Sequence, residues 1–280
     1  MSATTYEPGT AAATDAVTGL LPARHARSVP APIPTSRVLG VELRKMFDTR
    51  SGFWLMVSIV LLSITATAAV IIFSAREDLT YGTFAAAIGI PMSVVLPMVA
   101  ILSVTSEWSQ RTGLTTFTLV PSRGRVIGAK AALAVAIAAV SMVVALGVGA
   151  VGNLVGTAIA GVDPVWDISA REFGQIVLAN ELVMLVGFTL GVLLRNSAAG
   201  IIGYFVWSFV IPGISAALEG VQQWWLDNAA WFELNTATYP LFDGLHLTGQ
   251  MWAQLAVTTT LWVALPLAVG VWTLLRSEVK

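Results

Sequence analysis

The chain has 280 residues, of which 56% are hydrophobic and only 11% charged, with a mean hydropathy of +0.79 and a net charge of -1. That composition excludes an ordinary soluble domain and points to an integral membrane protein. The lack of cysteine excludes a disulfide framework, an iron–sulfur cluster and a thiolate zinc site.

Residues 1–35 carry Pro8, Pro22, Pro30, Pro32 and Pro34 among Ala, Thr and Ser. Large apolar groups are too few there for a core, so the segment reads as a disordered cytoplasmic tail. It has no apolar stretch before a small-residue cleavage site and is not expected to be a signal peptide. Residues 36–52 follow as an amphipathic interfacial helix. Leu39, Leu43, Met46 and Phe47 recur at helical spacing, while Arg37, Arg44, Lys45 and Asp48 point elsewhere. A plain anchor and a lever resting on a cytosolic partner both fit that pattern.

Residues 53–280 read as a six-helix transmembrane domain, which makes the expected fold class all-α. Crossing ~30 Å of hydrocarbon takes about 20 apolar residues in a helix, because lipid offers backbone groups no partner. Six stretches are long enough: Phe53–Ser74, Thr83–Thr105, Val126–Thr157, Glu172–Leu194, Ser197–Leu218 and Met251–Leu275. Only Arg195 and Asn196 separate the fourth from the fifth, which predicts a tight helical hairpin. With the N-terminus inside, all of the 15 lysines and arginines except Arg76 and Arg171 fall on the cytoplasmic side. The positive-inside rule therefore predicts cytoplasmic termini in a multi-pass protein of the cell membrane. The opposite loops are acidic, with Glu77, Asp78, Asp163, Asp167, Asp227, Glu233 and Asp243.

Between the second and third spans lies a polar and basic island, Ser106–Lys130. Glu107 and Arg111 are spaced for a helical salt bridge worth ~0.2–0.5 kcal/mol. Gly113 permits a left-handed break, Leu114, Phe117 and Val120 restore an apolar stripe, and Pro121 closes it. Arg123, Arg125 and Lys130 follow at the mouth of the third span, where contact with lipid headgroups accounts for each cation taken singly.

Within the spans, Pro91 and Pro97 each remove a backbone donor from the second helix, and Pro212 with Gly200, Gly203 and Gly213 loosens the fifth. Gly152 and Gly156, and Gly187 and Gly191, have the spacing that lets helix backbones approach closely inside one chain. Glu181 lies ~10–15 Å below the outer edge of the fourth span. An ionisable group at that depth faces protein or a watery cavity, with Asn180 and Asn153 as candidate partners. It serves either as part of a proton or cation relay or as a carboxyl hydrogen-bonded between helices. The outer segment 219–250 holds Trp224, Trp225, Trp231, Phe232, Tyr239 and Phe242, a density that predicts short interfacial helices rather than a free loop.

No enzyme is expected. The nearest lookalike of a phosphate-binding loop, Gly124–Ala131, has one residue too few between its glycines and no hydroxyl after Lys130. His25 and His246 lie outside the spans, so no intramembrane multi-histidine metal site is expected, and no G-x-S-x-G occurs.

Taken in order, the ELRK-containing surface helix, then Glu107, Arg111, Thr112, Gly113 and Leu114, then Pro121, Ser122, Arg123 and Lys130, within a six-span layout, resemble the permease subunit of type-2 ATP-binding-cassette (ABC) exporters. The likeness covers about residues 37–280. It implies a second permease chain, identical or related, and two cytosolic ATPase subunits that bind ATP and magnesium, with no cofactor on this chain and no nucleic acid. It implies that Leu114 to Pro121 form a coupling helix seated in the ATPase, within a coupling segment 106–125 that includes Glu107, Arg111, Gly113, Phe117 and Arg123. It implies further that the second and fifth spans line the substrate path, through Pro91, Met92, Pro97, Phe205, Trp207 and Phe209, capped by re-entrant helices in the outer segment. The almost uncharged spans favour an apolar or amphipathic cargo over a polyanion. The alternative is a non-transporting membrane scaffold or immunity protein.

Overall fold

The apolar stretches fold as six membrane-length helices in the computed structural model of the chain, which describes residues 33–48, 50–109 and 123–276. Four are unbroken: Arg50–Phe73, Tyr81–Ser109, Arg123–Ala160 and Ala170–Leu194. The fifth (Ser197–Glu219) and sixth (Gly249–Arg276) are interrupted. Among the described residues there is no strand, only an isolated bridge between Thr80 and Val165. The protein is an all-α, multi-pass membrane protein, and each expected span is present within a few residues of its expected bounds. Most of the predicted tail lies outside the described residues.

The surface helix runs Thr35–Asp48 and the first span already begins at Arg50, so the interfacial segment is shorter than the predicted 36–52. Val38 and Glu42 are buried against the bundle, while Leu43 and Phe47 remain exposed. One edge of this helix therefore grips protein and the other is left for the membrane boundary.

The second span is the spine of the bundle, with Phe84, Ile88, Met92 and Leu96 buried one turn apart. Glycines set its distance from its neighbours. A Cβ at Gly187 would lie 2.8 Å from the Pro97 carbonyl oxygen, and one at Gly191 would lie 3.3 Å from Ile101 Cα. Gly152 and Gly156 likewise sit over Phe84, Thr67 and Ile71. Both small-residue spacings serve packing inside the chain, where dispersion between close backbones replaces the hydrophobic effect that lipid cannot supply.

The helix of the second span continues through Pro91 and Pro97. Pro97 cannot donate to the Ser93 carbonyl one turn earlier, and the hydroxyl of buried Tyr204, from the fifth span, donates to that oxygen instead. The fourth span ends at Arg195 in the left-handed region (φ 52), and the Asn196 side chain accepts from Ala199 N–H to start the fifth. This is the tight hairpin read from the two-residue gap.

The fifth and sixth spans share one device. Each contains a π-turn, Val206–Val210 and Thr260–Ala264, in which the residue that follows, Ile211 or Leu265, donates five residues back to Val206 or Thr260. A proline comes next in each case, Pro212 and Pro266. Its ring clashes with the carbonyl one α-turn back and offers no N–H, and the wider turn relieves that clash. Trp207 and Trp262 stand in the two π-turns, their ring centroids 6.3 Å apart in an edge-on arrangement.

The outer segment forms a helix Gln223–Asn228, a 3-10 turn Ala229–Trp231 and a helix Leu234–Phe242. Leu234, Ala237 and Leu241 are buried with residues of the fourth span. Trp225 donates to Ser215 Oγ at 2.9 Å, and Trp262 donates to the Phe232 carbonyl at 2.8 Å. The aromatic density thus marks short helices folded into the protein.

Candidate functional site

Where the surface helix meets the adjoining ends of the second and third spans, four charged side chains come together. Lys45 Nζ lies 2.9 Å from Glu42 Oε1 and 3.0 Å from Glu107 Oε1. Lys130 Nζ lies 2.5 Å from Glu42 Oε2 and 3.2 Å from the same Glu107 Oε1. Lys130 also donates to the Ser103 carbonyl at 2.9 Å, so its ammonium is surrounded by two carboxylates and a carbonyl. The side chains of Glu42, Glu107 and Lys130 are only 4%, 3% and 5% exposed, against 38% for Lys45.

Two ammoniums and two carboxylates cancel, which is the condition for keeping charge out of water at tolerable cost. Burial draws the Lys45 ammonium down, but its hydrogen bonds to Glu42 and Glu107, reinforced by their charge, outweigh it and hold Lys45 above its ordinary value. The set is formed by residues 42 and 45 of the surface helix, 107 of the second span and 130 of the third. It therefore locks three separate elements together at one end of the bundle.

This placement changes the reading of Lys130. It is not a headgroup contact at the mouth of a span but a buried partner of two carboxylates, two turns inside the third helix. Glu107 is held by Lys45 and Lys130, while its expected partner Arg111 lies outside the described residues. Gly113, Leu114, Phe117 and Pro121 also lie outside them, and Arg123 is the first residue of the third helix. Glu42 was not singled out by sequence. Helical spacing reveals only local pairs, and Glu42 meets Glu107 and Lys130 across the fold. The available cue was Lys130 itself, an ammonium in the apolar run VIGAKAALAV that needs an acid from elsewhere.

The residues expected to line a path fall on two surfaces. Met92, Pro97 and Trp207 are buried in the bundle and Pro91 is half-buried. Phe205 and Phe209 are 40% and 61% exposed and stack on each other at 5.8 Å, on the outward face of the fifth span.

Glu181 is buried, and neither carboxylate oxygen has a hydrogen-bond partner among the described residues. The two expected partners are engaged elsewhere. Asn180 Nδ2 donates to the Ile176 carbonyl at 2.9 Å, and Asn153 Nδ2 donates to the Val165 carbonyl at 3.0 Å. Asn153 is thus a tether for the loop between the third and fourth spans, and among the described residues neither amide hydrogen-bonds the Glu181 carboxyl.

A scan against protein-family models gave no match to this chain, and a search of curated proteins gave none.

Proposed function

We propose that this chain is the membrane-spanning permease subunit of an ATP-driven exporter of the type-2 ABC class, working as a dimer of permease chains with separate cytosolic ATPase subunits. The observation that carries the reading is the buried quartet Glu42–Lys45–Glu107–Lys130, which lies at the start of the segment 106–125. A permease that receives force from an ATPase needs its receiving segment fastened to the helices it moves, and the quartet provides such a fastening. Displacement of the coupling helix Leu114 to Pro121 would be passed to the surface helix and to the second and third spans as one block. The two π-turns supply compliance in the fifth and sixth spans, since a widened turn has fewer ideal hydrogen bonds to break when a helix bends.

In this reading the termini and the quartet are cytoplasmic, the membrane is the cell membrane, and the exposed Phe205 and Phe209 face the second chain. Cargo is apolar or amphipathic. The reading is tested by purifying the full chain from its native membranes and assaying the preparation for vanadate-sensitive ATPase activity. Activity that co-elutes with the chain and changes on reconstitution into lipid supports the permease. A stable chain with no such activity supports the alternative of a scaffold or immunity protein.

A further inference from the structure

At the end of the bundle opposite the quartet, the second, fourth and fifth spans and the outer helix Leu234–Phe242 border a half-open cavity of about 530 Å³. That is within the size range of sites for small organic molecules, roughly 300–1,000 Å³. Its wall on the second span is a stripe of small residues, Gly82, Ala85, Ala86, Gly89 and Ser93, which recur on one helical face and leave room beside the backbone. Ile90, Ile176, Val183 and Phe242 supply apolar surface, and Tyr204 and Ser208 bring hydroxyls.

Charge at this cavity has one sign. Asp167, Glu172 and Asp243 line it, and no lysine or arginine does. Arg171 is adjacent but committed: it pairs with Glu172 at 3.4 Å and donates to the Gly244 and Leu245 carbonyls. Asp167 accepts from Gly82 N–H at 2.6 Å, which fixes the carboxylate against the small-residue stripe and keeps its charge at the mouth. A carboxylate mouth above an apolar body with an aromatic ring suits a molecule that carries a positive charge on a hydrophobic frame.

We infer that the cavity between the second, fourth and fifth spans binds a hydrophobic or amphipathic cation, held by Asp167 and Asp243 at its mouth and by the Gly82–Ser93 face along its wall. Treating that cation as the exported cargo rests on the permease reading; its binding to this chain does not, because no ATPase is needed to fill the cavity.

Gly89 gives a clean probe. A Cβ added there meets no heavy atom within 4 Å, so a larger side chain grows into the cavity rather than into a neighbouring helix. The test is equilibrium binding of tetraphenylphosphonium to the full chain in nanodiscs of zwitterionic lipid, with empty nanodiscs subtracted. Tetraphenylborate, nearly the same shape with the opposite charge, is measured alongside. Saturable binding of the cation is expected, with the anion at least about tenfold weaker. Gly89→Leu should weaken the cation about tenfold or more with unchanged thermal unfolding. Asp167→Asn, which keeps an acceptor for Gly82 N–H, and Asp243→Asn should each cost about fivefold, an effect that shrinks with salt. Equal binding of cation and anion, or cation binding indifferent to Gly89→Leu and to both Asp variants, overturns the inference and marks the cavity as a lipid-filled space. Either result leaves the permease reading standing, since that reading depends on the co-purifying ATPase.

Discussion

Replacing Lys130 by Met removes one of the quartet's two ammoniums from Glu42 and Glu107 and leaves Lys45 as the other. The geometry sets the size of the effect. Lys130 makes ion pairs at 2.5 and 3.2 Å to two carboxylates whose side chains are 4% and 3% exposed. At an effective dielectric of about 20, each contact is worth on the order of 5 kcal/mol before desolvation is subtracted. The orphaned carboxylates relax by taking up a proton or water, and removing one member of a buried pair costs about 3–5 kcal/mol net. The Ser103 carbonyl also loses one of its donors and keeps the Ser106 hydroxyl. Unfolding of the purified full chain in mixed micelles, titrated with denaturant, reads the loss. Charge balance makes the test specific, because Glu42→Gln with Lys130→Met leaves a neutral Lys45–Glu107 pair and should recover a large part of the single-variant loss. A Lys130→Met chain as stable as wild type, or a double variant less stable than the single by the full additive cost, would refute the assignment of these four side chains to one balanced set.

Three further outcomes are expected. Tyr204→Phe should destabilise by about 1–3 kcal/mol by orphaning the Ser93 carbonyl, and the loss should shrink in a Pro97→Ala background, where a backbone N–H returns; additive effects in thermal unfolding would contradict the capping role. Gly187→Ala should cost about 1–3 kcal/mol through overpacking on Pro97, while Gly147→Ala, with open space around its Cβ position, should be tolerated. Comparable melting temperatures for those two variants would show that the close approach is not limiting. Because the folded value of Lys45 lies above its ordinary 10.5, its contribution is complete below that value and is lost as pH rises through the folded one. The stability difference between wild type and Lys45→Met should therefore be flat from about pH 6 to 10 and shrink above that; a difference that shrinks on acidification through this range instead would contradict the sign.

Much of the architecture was legible because the bilayer imposes length and composition directly. The six spans, the hairpin at Arg195 and Asn196 and the short helices of the outer segment all follow from where apolar runs start and stop. The packing role of Gly187 and Gly191 was legible in part, since that spacing puts both glycines on one helix face and lets a neighbouring backbone come close. The quartet was hidden because its members are brought together by tertiary packing, and no local pattern pairs residue 42 with residue 130. The π-turns were half visible. Pro212 announced a disturbance in the fifth span, but a proline alone does not say whether a helix kinks, breaks or widens. The second span runs through two prolines without interruption, and Tyr204 satisfies the carbonyl that Pro97 frees. The cavity escaped notice because Gly82, Ala85, Ala86 and Gly89 read equally well as a packing face until the neighbouring helices are in place.

The central claim is that this chain receives ATP-driven motion through residues 106–125. The most direct measurement is the vanadate-sensitive ATPase activity that co-elutes with the affinity-purified chain, compared between wild type and Phe117→Asp, with Gly147→Ala, which has open space around its Cβ position, as a control for fold. The account predicts co-eluting activity in the wild type, its loss in Phe117→Asp, and its retention in the control. Absence of activity from the wild type, or undiminished activity in Phe117→Asp, would contradict it.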